Sequence, residues 1–129
     1  MSRVVHFEIH ASDHESLISF SSALFGWSLR KWEGPLDFWM ISTGPAEERG
    51  IDGGLTRRHG DAPAAMQTAN AFVCTVDVAS AESSLAQALE LGGEAALPMM
   101  AVPGVGWLCY VKDPDGNVFG MMQSDSAAA

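Results

Sequence analysis

At 129 residues, 47% hydrophobic and 18% charged, the chain has the size and composition of one soluble domain with a real core, or of two half-sized modules that share one. A formal charge of −9 without a basic run argues against nucleic-acid or anionic-membrane partners. No apolar run is long enough to span a bilayer, and MSRVVHFEIH enters an alternating pattern without a signal-peptide core, so a cytoplasmic protein is expected.

The stretch RVVHFEIH alternates over residues 3–10 and predicts a strand, with Val5, Phe7 and Ile9 on one face and Val4, His6, Glu8 and His10 on the other. A helix follows in SDHESLISFSSALFG. Ser12 and Glu15 have the form of a capping box, Leu17, Phe20 and Leu24 with Ile18 and Phe25 supply helical spacing, and Gly26 stands in the C-terminal glycine position. WSLRKWE, LDFWMIST and GIDGGLTRR read as three short strands separated by glycine–proline turns. Residues 58–69, rich in Ala, Pro and polar side chains, read as a linker.

The pattern then starts again. AFVCTVDV predicts a strand, SAESSLAQALELGG a helix with Leu85, Ala88 and Leu89 inward, and GEAALP, VGWLCYVKD and GNVFGMMQS three more strands. Shifting the chain by 66 to 69 residues lays IHAS on DVAS, LFGW on LGGE and GIDGGL on NVFGMM. The expected organisation is α+β: module one over 3–57, the linker 58–69, module two over 70–123, and a frayed tail over 124–129. Each βαβββ module alone exposes one face of a four-stranded sheet, so the modules are expected to pack on each other or on a partner chain, as in a homodimer. Cys74 and Cys109 both fall in predicted strands and read as small buried hydrophobes.

Two βαβββ modules, the early histidine in VVHFEI, the LFGW helix end and the run PGVGWLCYVKDPDGNVFGMM resemble the vicinal oxygen chelate superfamily, which includes glyoxalase I, bleomycin-resistance proteins and extradiol dioxygenases. The likeness covers residues 3–123 and is strongest to glyoxalase-like proteins of unassigned activity. It implies sheets curled into a trough, helices outside, and a small ligand on the concave side, commonly beside a divalent metal. The metal enzymes of the superfamily place ligands on the first and last strand of each module. Here those positions fall on His6, near Val73, near Gly53, with Asp52 and Asp13 the closest carboxylates in sequence, and on Gly120, seven residues after Asp113, where glutamate is expected.

Only His6 carries a donor, and sites of this type need three or more protein ligands. The resemblance therefore implies a protein that binds a small, partly apolar molecule without a metal cofactor, of isomerase or lyase type if catalytic. The alternatives are a metal-dependent lyase or dioxygenase that uses His6 with ligands borrowed across a dimer, and a non-catalytic drug-sequestering resistance protein. His6 and Glu8 are the candidate catalytic residues, because a carboxylate beside an imidazole suits proton transfer. Solvated strand polarity accounts for the same residues equally well. The ligand-binding candidates are His6, Glu8, Trp39, Trp107, Gly53, Gly120 and Met122, with the tryptophans as flat apolar walls and the two glycines as gaps that enlarge the trough. Tryptophan is used more often in a core than in a pocket. DPDG is a turn former first, and AVPGVGW lacks the Lys and Ser/Thr of a phosphate loop.

Overall fold

The structure is a computed structural model that describes residues 3–129. Two compact units divide the chain at Met1–Ala62 and Pro63–Ala129. Unit one contains β1 (Phe7–Ala11), α1 (His14–Phe25), β2 (Ser28–Lys31), β3 (Phe38–Ser42) and β4 (Gly53–Arg57). Unit two contains β5 (Thr75–Asp77), α2 (Ala81–Glu90), β6 (Glu94–Val102), β7 (Gly106–Lys112) and β8 (Val118–Ser124). The architecture is α+β, with βαβββ order twice. Each unit is one open mixed sheet, ordered β1-β4-β3-β2 in the first and β5-β8-β7-β6 in the second. The first strand of each unit runs parallel to the last, so the intervening helix crosses one face of the sheet.

In unit one that helix covers a core of Ala11, Leu17, Trp39, Ile41 and Leu55, with Phe7, Ile9, Ile18, Trp27 and Leu29 packed against it. Successive strand side chains point to opposite faces. Phe7, Ile9 and Ala11 therefore face α1, and Glu8 and His10 face away. The strand starts at Phe7 rather than at residue 3, and Val4 and Val5 are exposed. The predicted apolar face thus begins one strand position later than Val5.

Asp13, not Ser12, caps α1: its carboxylate accepts the Ser16 N–H at 3.3 Å, while Ser12 accepts from the Arg58 guanidinium. An Asp at N-cap satisfies an otherwise orphaned amide and suits the positive end of the helix dipole. Gly26 ends the helix with φ 72°, a left-handed conformation that glycine adopts without a Cβ penalty.

In unit two, Cys109, Val111 and Met121 are fully buried on the strands, and Ala81 and Ala88 on α2. Leu89, expected inward, is 46% exposed, and Ala81 takes the inner position instead. The strand β5 is only three residues long. Phe72, Val73 and Cys74, predicted within it, precede it and are exposed, because only Thr75–Asp77 pair with β8. Burial pushes the Cys109 thiol up, consistent with an inert core residue. The edge strand β6 runs longer than predicted and contains Pro98 within an irregular stretch of its pairing with β7, where a missing amide is tolerated.

The DPDGN segment is a hairpin turn. The Asp113 carboxylate accepts the amides of Asp115 and Asn117 at 2.9 and 3.0 Å and the Asn117 side-chain amide at 3.0 Å. Gly116 supplies the positive φ of 88°. The C-terminal residues expected to fray are tied down. Asp125 accepts the Trp107 indole N–H at 3.0 Å, its amide donates to Val105, and the carbonyl of the buried Ala128 accepts from Gly104.

The Ala127 amide first, and the Trp107 indole second, hold the Asp125 carboxyl below the ordinary value of 3.8. A depressed folded value means that the stabilisation is present above the unfolded value and is lost as pH falls through the folded one. An acid titration of tryptophan fluorescence should show a step below pH 3.8 that disappears in Asp125→Ala. Identical titrations of the two proteins would show that this contact does not hold the C-terminus.

Candidate functional site

The helix-free face of the first sheet brings together side chains from three strands. His6, one residue before β1, places Nε2 3.4 Å from Oε2 of Glu8, with the two side chains 50% and 40% exposed. Glu8 pairs in register with Gly54 on β4, and Gly54 pairs with Met40 on β3. Phe38, two residues from Met40, lies on the same face: its ring occupies the space in which a Cβ on Gly54 would stand. Trp32 meets Phe38 edge to face, with ring centroids 6.3 Å apart. The result is an imidazole–carboxylate pair beside an apolar, aromatic surface that includes the exposed Met40 and Trp32.

A half-exposed imidazole–carboxylate contact of this kind contributes little to folding. Chemically, the imidazole can accept or donate a proton and the carboxylate can fix its orientation. His10 also faces away from α1, at the far end of β1.

The second sheet has a comparable face. Gly120 pairs with Thr75 on β5 and Tyr110 on β7. A Cβ on Gly120 would lie 2.9 Å from the Thr75 hydroxyl, 3.2 Å from the Tyr110 ring and 3.5 Å from Leu108. Met122 shares this face by alternation and is half-buried.

Several expected site residues are placed elsewhere. Trp39 is on the covered face, 7% exposed, stacked on His14 of α1 with ring centroids 4.4 Å apart. Phe38, its neighbour, takes the position on the Glu8 face. Trp107 shares the face of buried Cys109 and Val111 and donates to Asp125. Pairing equates Met40, opposite Gly54, with Tyr110, opposite Gly120, and hence Trp39 with Cys109.

Gly53 is likewise on the covered face, against the Phe7 ring, and the true counterpart of Gly120 is Gly54. GIDGGL laid on NVFGMM by residue type matches Gly53 to Gly120, and a one-residue offset in a strand exchanges the faces. Val73 lies outside β5, and Thr75 is the residue opposite Gly120. The glycines do not enlarge the face either. Phe38 and Glu8 fill the space over Gly54, and Thr75 and Tyr110 crowd Gly120. Phe38, Thr75 and Tyr110 were legible only as strand residues, because their significance depends on exact register.

Nearby carboxylates are engaged in structure. Asp13 caps α1, and Asp52 accepts the Thr43 amide at 2.9 Å in the β3–β4 loop. That loop encloses a polar depression of about 100 Å³ lined by Thr43, Glu48, Arg49 and Asp52. Among the described residues, no three His, Cys, Asp or Glu side chains converge on one point. One imidazole and one carboxylate are too few donors for a divalent ion of the kind the superfamily's metal enzymes use.

No family model matches the sequence, and no curated protein matches it. Solved structures do. The fosfomycin resistance protein FosX from Listeria monocytogenes is 17% identical with a TM-score of 0.72, over 97% of this chain and 93% of its own. A FosX crystal with a TM-score of 0.71 and 16% identity, over 97% of this chain and 92% of its own, contains Mn(II) and sulfate. A glyoxalase/bleomycin resistance protein/dioxygenase family enzyme from Burkholderia phytofirmans PsJN is 15% identical with a TM-score of 0.69, over 96% and 100% of the two chains. The fold is that of the vicinal oxygen chelate superfamily.

Crowding at Gly120 has a measurable consequence. Gly120→Glu should lower the urea midpoint, with a loss of about 1–3 kcal/mol, because Thr75 and Tyr110 must move to admit the side chain. Unchanged stability would mean that the space is available.

Proposed function

We propose that the protein binds a small, partly apolar molecule on the helix-free face of its first sheet, without a metal, and that the His6–Glu8 pair is the polar contact. The observation that carries this proposal is the 3.4 Å pairing of His6 with Glu8 beside an aromatic surface that the helix leaves uncovered. Apolar walls with a few placed polar groups are the usual composition of a small-molecule site. Phe38, Trp32 and Met40 provide the apolar contact, and Glu8 orients the imidazole towards the ligand's polar atom. On a ligand with an acidic C–H, His6 serves as general base and Glu8 stabilises the imidazolium that forms, which is isomerase- or lyase-type chemistry. On a ligand without one, the same surface sequesters.

The lack of a carboxylate or imidazole at Gly54, Gly120 and Thr75 supports a metal-free site over a metal-dependent lyase or dioxygenase built on His6. The fold likeness to a glyoxalase/bleomycin resistance protein/dioxygenase family enzyme and to a fosfomycin resistance protein supports a small-molecule ligand. A homodimer is part of the proposal. The single chain leaves Leu36, Phe72, Leu97 and Val105 exposed at 67%, 100%, 49% and 53%, and burial against a second copy would remove that apolar surface from water. The cytoplasm is the proposed location, in keeping with free cysteines at 74 and 109.

Thermal-shift screening with small aromatic compounds that bear one or two oxygen groups tests the site. A ligand at a hundredfold excess over its Kd should stabilise the protein by about 2.7 kcal/mol. His6→Ala and Glu8→Ala should each reduce that stabilisation, and Trp39→Phe, on the covered face, should not. Undiminished binding by His6→Ala would place the site elsewhere.

A further inference from the structure

Glycine inside a strand usually needs a reason, since it packs no side chain and weakens the strand. Gly54 is in the middle of the first sheet, between β1 and β3, and it is not among the glycines with positive φ. Any residue could adopt its backbone conformation. The reason must lie in the space beside it.

That space is filled by two groups on the helix-free face. The Phe38 ring overlaps the position a Cβ would take, and Oε2 of Glu8 lies 2.5 Å from it. The same Oε2 is the atom 3.4 Å from Nε2 of His6. Glu8 therefore leans sideways across β4 instead of standing away from the sheet, and in that posture it meets the imidazole. Glu8 and Gly54 are register partners, so no backbone shift smaller than a full change of pairing would relieve a side chain at position 54. A methyl group there would displace the carboxylate from its oxygen position.

We propose that Gly54 is a positioning residue for the His6–Glu8 pair: its missing side chain is the seat on which the Glu8 carboxylate rests while it holds the imidazole. The inference builds on the ligand-binding role proposed for that pair, but the geometry it asserts is present in the unliganded protein.

The test reads the His6 ring directly, through the nitrogen shifts and tautomer in long-range ¹H–¹⁵N spectra of the unliganded protein, assigned by loss of the signals in His6→Ala. Because Gly54→Ala also collides with Phe38 and could misfold, the informative variant is Gly54→Ala/Phe38→Ala, with Phe38→Ala as its control. The double variant should shift the His6 ring signals from their positions in Phe38→Ala to those of Glu8→Ala/Phe38→Ala. Adding Gly54→Ala to a Glu8→Ala/Phe38→Ala background should then move them no further. His6 signals in the double variant that match those of Phe38→Ala would overturn the proposal, as would a Glu8→Ala variant whose His6 signals match wild type. Neither result depends on ligand binding, so a failed ligand screen would leave this inference standing.

Discussion

One helix covers one face of each sheet, and the two-residue alternation of strand side chains then assigns every strand position to the core or to the opposite face. In the first sheet Leu17 of α1 packs with Trp39, Ile41 and Leu55 of the strands. Burying a side chain of this size contributes about 1.5–3 kcal/mol, so the covered face sets the register with little freedom. The side chains between them, Glu8, Phe38, Met40 and Gly54, are thereby delivered together to the other face. The candidate site is the complement of the core.

The element types were legible because their periods are clear: helical spacing through Leu17 and Phe20, and alternation through Phe7 and Ile9. The repeat was legible from its punctuation. What could not be read was parity. LDFWMIST puts two aromatic residues side by side, and nothing local decides whether Phe38 or Trp39 turns inward; the contact with α1 decides it. GIDGGL poses the same problem with two glycines. Aligning it by residue type chose Gly53, whereas strand pairing chooses Gly54.

Propensity also misled at AFVCTVDV, where a β-rich run extends beyond the three residues that find a partner strand. The C-terminal residues have no period, and their order rests on hydrogen bonds to Trp107, Val105 and Gly104. Alternation in RVVHFEIH puts His6 and Glu8 on one face, and the structure brings them to 3.4 Å. Their role as a ligand contact is proposed on that geometry.

Glycine costs a strand roughly 0.5–1 kcal/mol relative to alanine. Gly54 and Gly120 occupy matching positions in the two sheets, and each gives its room to neighbours: Glu8 and Phe38 in one, Thr75 and Tyr110 in the other. Both positions are thus filled by neighbouring side chains, and among the described residues the first sheet's helix-free face carries His6 and Glu8 together, with His10 at the far end of β1.

Titration calorimetry of chelator-treated protein with Mn(II), Ni(II) and Zn(II), paired with elemental analysis of the protein as purified, tests this most directly. The account predicts no stoichiometric uptake of any of the three and no change in uptake for His6→Ala. One tightly bound ion per chain, lost in His6→Ala, would contradict it.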